Sequence, residues 1–536
     1  MLEAAKAFRN GLPYHVALAG VTSQPARLLG LGNRVGKIAP GLYVLSEYLV
    51  SNLSDILSDA DILVWDSDPL SLGAAPVQVW IDGAPQYSDP VVLDKPWAKL
   101  LDTPVLSTYT SPSPLFPSPS ADASAITIFT GLTHIHLPSH SISTTFSPTS
   151  PGTLILMNNT IVCLGSTSLC PLSKIPSGST IRTIALQNGH LTTPFTAFGS
   201  TLGLSEIDAE SATQDGATDA PLFTRTVDAL ALGGKQLAAT YAKGVTRAVT
   251  APFARGGGYR GVSALFKTGA LNSLEEGAVV KEEVAVHYDL TLAAKRSDKS
   301  PSISSAVGAL RKGLLDAIAS NGNVSEADRY GEAAYLKRVV NGSLPLVLQV
   351  HSADTIAAVV RLKAEISSLL PTPASAPAAS TSSSPLRIII HGGAESHIVA
   401  SALASAKIPV ILAPMLAYGQ SWDQRRSLTG APLTNGTAID ALLAAGVKVA
   451  IGPLEAWEAR DLPLMAGVAL ANGRGMLDYA AATGLIGEGL WEILGLGGDE
   501  EEGEGKEEWV LFEGSPLEID GRLRASGDAG KIVVWE

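Results

Sequence analysis

With 536 residues, 46% of them hydrophobic and 17% charged, the chain is too apolar for disorder and long enough to bury more than one core. A net charge of −13 and a pI near 5.2 set it against phosphate backbones, so no nucleic-acid partner is expected. The two cysteines, Cys163 and Cys170, are too few for a disulfide framework or a structural zinc cluster. No apolar run has membrane-spanning length, and the opening MLEAAKAFRNGLPYHVALAGVT lacks the basic-then-apolar order of a signal peptide.

The first stretch, 1–95, holds an apolar helix end, ARLLGLGNRVGKIAPG, and then the strand pair of DADILVWDSDPLSLGAAPVQVWIDGAPQY. Residues 42–58 read as an insertion between the two. Residues 96–150 read as a Pro/Ser-rich linker, because SPSPLFPSPS cannot pack a core. Within that linker, THIHL places His134 and His136 in an H-x-H pattern; its position assigns it to the linker or an outer strand rather than to a metal.

From 151 on, TLILMNNTIVCLG and STIRTIALQNGHLTTP read as strands. Short apolar strands then alternate with amphipathic segments: GVTRAVTAP, AVVKEEVAVHYDLTL, LPLVLQVHSADTIAAVVRLKAEI, LRIIIHGGAESHIVASALASA, IPVILAP and GVKVAIGP. Such alternation predicts an α/β fold with a parallel sheet, and six or more units favour a (β/α)8 TIM-type barrel over 196–504. The tract PTPASAPAASTSSSP, 371–385, reads as a surface insertion, and the acidic run 499–508 as a solvated loop. The chain closes with LWEILGLGGD and WVLFEGSPLEIDGRLRASGDAGKIVVWE. This repeats the module of the first stretch, so a tail of another copy precedes a longer unit closed by a like tail. Residues 151–195 and 505–536 are expected to build a small composite β-sandwich from both ends of the barrel.

The chemistry-bearing residues fall at strand ends. His351 and His391 each follow an apolar strand, where a barrel delivers side chains into its mouth, and imidazoles there suit a divalent metal, zinc above all. Each histidine by itself is more commonly structural. Glu206 is the expected third metal donor. Glu210, His287, Glu395 and His397 are the expected substrate-binding residues.

HSADTI (His351, Asp354) and HGGAESH (His391, Glu395, His397) resemble the fifth- and sixth-strand motifs of the amidohydrolase superfamily, of the imidazolonepropionase-like kind. NGHLTTPFTAFGSTLGLSEI resembles its first-strand segment, and DADILVWDSDPL its closing strand. EIDAESATQDG, WDQRRSLTGAPLT and GVTRAVTAP resemble fungal proteins filed near N-acetylglucosamine-6-phosphate deacetylases. The resemblance covers most of 153–536 plus 11–87. It implies a metal-assisted attack of water on an amide or cyclic amide, a carbon–nitrogen bond other than a peptide bond, in a small-molecule substrate.

The motif match fails at the first and last strands. Aligned on Pro194, the family's two histidines fall at Ser200 and Leu202, and an acid at Phe198. The last-strand aspartate falls near Pro453. The family's bridging ligand has no firm match, with Lys281, Glu282 and His287 nearby. Leucine and proline cannot bind metal. The resemblance therefore leaves two expectations: a hydrolase, or a catalytically degenerate barrel that binds a small molecule or supports another amidohydrolase copy.

Overall fold

The computed structural model describes residues 1–38, 61–100, 102, 126–137, 142–158, 160–171, 180–217, 223–254, 258–296, 301–320, 325–370, 386–496, 508–528 and 531–535. The sequence readings for 42–58 and 371–385 lie outside these residues, as do those for most of 101–124 and, Glu508 apart, 499–508.

Three short helices open the chain: α1 (Leu2–Arg9), α2 (Tyr14–Gly20) and α3 (Ser23–Leu28). Strands β1 (Ile62–Trp65), β2 (Pro76–Ile81) and β3 (Ala84–Pro85) follow as a separate three-stranded antiparallel sheet. This stretch is docked on the rest of the chain. Ala4, Ala5, Phe8, Leu70 and Leu72 form a core with Ile519 and Leu464, and Lys6 pairs with Asp461 at 2.8 Å.

Next come β4 (Ile126–Leu137), β5 (Ile142–Thr145), β6 (Gly152–Met157), β7 (Thr160–Ser166) and β8 (Ile181–Thr192). At the far end of the chain lie β17 (Trp509–Glu513), β18 (Arg522–Asp528) and β19 (Lys531–Val534). Strands from both sides of the barrel share one eight-stranded sheet in the order β19-β18-β17-β8-β4-β6-β7, with β5 on β4. Bulges in β4 at 130–132 let the sheet fold over its own core of Phe129, Leu132, Leu154, Leu191, Trp509 and Leu511. Residues 126–137 are thus neither linker nor outer strand. Twelve residues of mostly buried ITIFTGLTHIHL form a central strand between β8 and β6, which the Pro/Ser bias of the preceding stretch hid. The two cysteines, although too few for a framework, are bonded to each other, joining Cys163 within β7 to Cys170 just past its end.

The barrel strands are β9 (Phe195–Phe198), β10 (Val245–Thr250), β11 (Gly261–Lys267), β12 (Val279–Asp289), β13 (Leu346–Val350), β14 (Ile388–Gly392), β15 (Val410–Leu412) and β16 (Val449–Ile451), hydrogen-bonded in that order. The ring is completed by Leu485 and Ile486, whose carbonyls accept from Ile451 N and Thr196 N at opposite ends of the sheet. One strand departs from the all-parallel expectation. β11 is antiparallel to both β10 and β12. Among the described residues the links 251–260 and 268–278 contain no helix, and a parallel pair needs a crossover of a dozen or more residues.

Outside the sheet lie α4 (Lys235–Tyr241), α5 (Ile303–Ala319), α6 (Glu332–Val340), α7 (Ala353–Leu369), α8 (Ala400–Ser405), α9 (Ala438–Ala444), α10 (Leu462–Asn472), α11 (Tyr479–Gly484) and α12 (Glu488–Leu494). α7 illustrates their making. Ile356, Val359, Leu362 and Ile366 recur at helical spacing and are fully buried against the sheet. Each such burial is worth about 1.5–3 kcal/mol. The barrel interior is a second apolar layer of Phe198, Val249, Leu265, Val347, Ile389 and Ile411, floored by Leu490, Ile493 and Leu494 of α12. Among the described residues no helix is long and apolar enough to cross a membrane.

Candidate functional site

The mouth of the barrel is built by the upper inward positions of β12, β13 and β14. Inward and outward side chains alternate along each strand, so the wall that places Ala285, Val347 and Ile389 in the interior also turns His287, Asp289, Gln349 and His391 inward. His351 follows one step above β13 and is also buried.

The imidazoles form a row of electrostatic neighbours, His287 to His391 to His351. Burial, reinforced by the adjacent histidine, pushes His287 and His391 each down to about 3. Burial lowers His351 as well, while Asp423 and Glu395 pull the other way. The first two rings are therefore neutral at physiological pH and act as acceptors or donors according to tautomer. His287 Nε2 lies 2.9 Å from Ser263 Oγ. His391 Nε2 and His351 Nδ1 are buried with no hydrogen-bond partner among the described residues.

Phe198 fills the space between two of these rings, 5.9 Å from His287 and edge-on to His391 at 5.4 Å. Tyr259, from the 251–260 link, closes the top: its hydroxyl donates to Gly199 O at 3.2 Å and its N–H to Gln349 Oε1 at 3.1 Å. Gly199 has φ +90°, and a Cβ there would lie 2.2 Å from His391 Nε2. The backbone after β9 thus occupies ground in front of the imidazole that a side chain cannot share.

The acids expected as further donors are committed elsewhere. Glu206 accepts from Lys235 N at 2.7 Å and Gln236 N at 3.3 Å, so it holds the first turn of α4. Glu210 is exposed and accepts from Ala212 N at 3.0 Å. Glu395 is fully buried, where Arg426 Nη2 donates at 2.6 Å, Arg426 Nε and N at 3.1 Å and Ala353 N at 3.0 Å. Burial works to raise its carboxyl, but Arg426 and the backbone donors outweigh it and hold the group below its usual range. His397 is half-buried on the turn after β14, beside Glu395, and burial lowers its pKa.

Ser200 is buried, and its Oγ accepts from Leu202 N at 3.3 Å. Leu202 is fully buried and belongs to the same core cluster as Phe195, Leu237 and Val262, not to the barrel-interior cluster of Phe198, Ile389 and Ile411. Pro453 is buried two residues past β16. Glu282 is exposed near the start of β12, at the opposite end from the mouth, 3.4 Å from Arg225; Lys281 precedes it there. His134 stacks on His190 at 4.2 Å in the other sheet, and His190 Nδ1 lies 3.0 Å from Tyr479 Oη.

Two acids at the mouth escaped the sequence reading. Asp289, the last residue of β12, accepts from Thr291 N at 2.8 Å through Oδ1 and leaves Oδ2 buried without a partner. Burial, opposed by bonds from Thr291 and reinforced by Asp423, raises its carboxyl to about 6. Asp423 is buried, bonded to Ser421 Oγ and Leu292 N, and faces both Asp289 and His351. The period-two register that carries His287 inward carries Asp289 inward as well, and that signal was present in HYD.

A catalytic divalent metal needs about three protein donors converging on one point. Among the described residues the mouth has unpartnered donors in His351 Nδ1, His391 Nε2 and Asp289 Oδ2, but the Gly199 backbone stands before His391 Nε2, and Glu206, Glu210 and Glu395 are spent. Among the described residues no group of three histidine, cysteine or acidic side chains is arranged to hold a metal ion. The donor set does not fit such an ion.

No protein-family model matches the chain. It is 42% identical over 520 residues to amidohydrolase tasK of Hapsidospora irregularis, which covers 94% of this chain and 50% of that one. The chain therefore spans about half the length of the curated relative it matches. An amidohydrolase from Thermotoga maritima shares the fold with a TM-score of 0.57 at 17% identity, covering 76% of this chain and 100% of that one.

Proposed function

We infer function from one premise: the chain belongs to the amidohydrolase superfamily. On that premise the chain is the barrel-bearing part of a hydrolase of carbon–nitrogen bonds other than peptide bonds, acting on a small amide or cyclic amide. The observation that carries this reading is kinship to an amidohydrolase across nearly the whole chain, barrel and both flanking sheets included. At the mouth, His351 and the neutral His391, whose Nδ1 and Nε2 respectively have no partner among the described residues, would orient the amide, the Gly199 backbone in front of His391 moving aside to admit it. Asp289, with its free Oδ2, would hold or release a proton near pH 6. A divalent metal, zinc by expectation, would polarise the carbonyl and acidify water if it were held at His351 and His391, but the donors do not converge on one point.

A second reading has its own observation. Among the described residues no three donors are arranged to hold an ion, and the mouth is closed by Phe198, Tyr259 and the Gly199 backbone, which favours a barrel that binds or supports rather than cleaves. One experiment separates the two. The protein is purified without chelator, its zinc, manganese and iron are measured, and hydrolysis of a panel of N-acyl and cyclic amides is followed with and without added zinc. Turnover that falls at least about tenfold in both His391→Ala and Asp289→Asn supports the hydrolase. No turnover under any condition, with no stoichiometric metal, leaves the binding or supporting role.

A further inference from the structure

Two stretches of this chain are built to one plan. Helices α10, α11 and α12 lead into the antiparallel strands β17, β18 and β19. Helices α1, α2 and α3 lead, in the same way, into β1, β2 and β3. ARLLGLG (26–32) matches WEILGLG (491–497), and ILVWDSDPL (62–70) matches WVLFEGSPL (509–517). The helix-ending glycines agree in conformation, Gly30 at φ +76° and Gly495 at φ +70°.

In the second stretch the apolar side chains are covered. Ile493 and Leu494 close the barrel floor at 6% and 1% exposure. Val510 and Leu511 are fully buried, and the outer edge of β17 pairs with β8 through Val510↔Thr192 and Leu511↔Leu191. In the first stretch the matching residues are bare. Leu28 is 85% exposed, Leu29 74%, Leu63 51% and Val64 42%. β1 is an end strand of its sheet, and no described strand pairs with its other edge. A bare apolar patch beside an open strand edge is a surface that natural proteins keep covered.

A second copy of this chain cannot supply the cover. Its barrel floor already holds its own α12, and its β8 already carries its own β17. What fits is a barrel without its last three helices and closing strands. The curated relative has room for one, since this chain accounts for half of its length.

We propose that Leu28 and Leu29 of α3, with the outer edge of β1, form the seat of another amidohydrolase-type barrel, which takes α3 as its floor and pairs β1 with its own counterpart of β8. The occupant is the other half of a full-length protein of the relative's architecture. The inference rests on membership of the superfamily and is independent of whether the barrel described above hydrolyses anything.

Hydrogen exchange tests it on the whole 536-residue chain, alone and with the half of the Hapsidospora irregularis relative that this chain does not match joined to its amino terminus. In the chain alone, amides of 23–31 and 62–65 should exchange about 100-fold faster than the corresponding 488–496 and 509–512, which serve as internal standards. In the joined protein they should slow by about the same factor, and Leu28→Glu with Leu29→Glu should abolish the slowing in 23–31. The exposed double variant should leave the thermal unfolding of the chain alone unchanged. Protection of these segments already in the chain alone, or no gain of protection in the joined protein, overturns the proposal.

Discussion

Replacing Glu395 by glutamine tests whether the sixth-strand acid is structural. In the fold its carboxylate has no solvent exposure and takes N–H bonds from Arg426 Nη2, Nε and N and from Ala353 N. Bonds to a charged acceptor contribute about 1.5–3 kcal/mol each, less what Arg426 regains from water, because its side chain is 39% exposed. Glutamine keeps one acceptor oxygen but turns an amide toward donors, so the net cost should be about 2–4 kcal/mol. The pH dependence has a definite sign. The folded carboxyl lies below its ordinary value of 4.5, so its contribution is full above that value and disappears as pH falls through the depressed folded value. Urea unfolding of wild type and Glu395→Gln at pH 7 should therefore differ by that amount, and the gap should narrow as the pH is taken below 4.5. A gap under about 0.5 kcal/mol at pH 7, or one that does not change with pH, would refute the argument.

Asp289 carries the opposite sign. Its carboxyl is raised to about 6, so folding disfavours the charged form, and the chain should lose stability as pH rises from about 4 to about 6. Asp289→Asn should remove that slope and gain roughly 1–2 kcal/mol at pH 7, measured by the same titration. Gly199→Ala should cost about 2–4 kcal/mol, from positive φ and from a Cβ 2.2 Å from His391 Nε2; a variant as stable as wild type would mean the backbone after β9 is free to move away from the ring.

The α/β barrel was legible because its strands are short apolar runs, and runs such as LPLVLQV and LRIII leave few alternatives. His351 and His391 were legible because each ends such a run. Asp289 was not, because β12 opens as VVKEE, and its alternating charges draw attention to Lys281 and Glu282 at the wrong end of the strand. The fate of Glu395 was hidden for a different reason: its partner Arg426 lies 31 residues away on the loop after β15, and no local pattern marks such a pair. The reversal of β11 was equally invisible, since a strand bound on both sides reads the same in either direction. Strand β4 was lost to composition, because its neighbours in sequence are Pro and Ser although its neighbours in space are β6 and β8.

The reversed strand alters how the barrel could be remodelled. In an ordinary eightfold barrel each strand contributes its last residues to the working face, and each following loop can be exchanged on its own. β11 contributes its first residues, Gly261 and Ser263, so the serine that meets His287 stands at the head of its strand. The 251–260 link must then do the work of two working-face loops, while 268–278 sits under the other sheet, tied to it by Glu275 and Lys531 at 3.4 Å. Loop grafting on this side would reshape the barrel mouth through 251–260 alone, and a change in 268–278 would be felt first at its contact with the other sheet, where Glu275 meets Lys531.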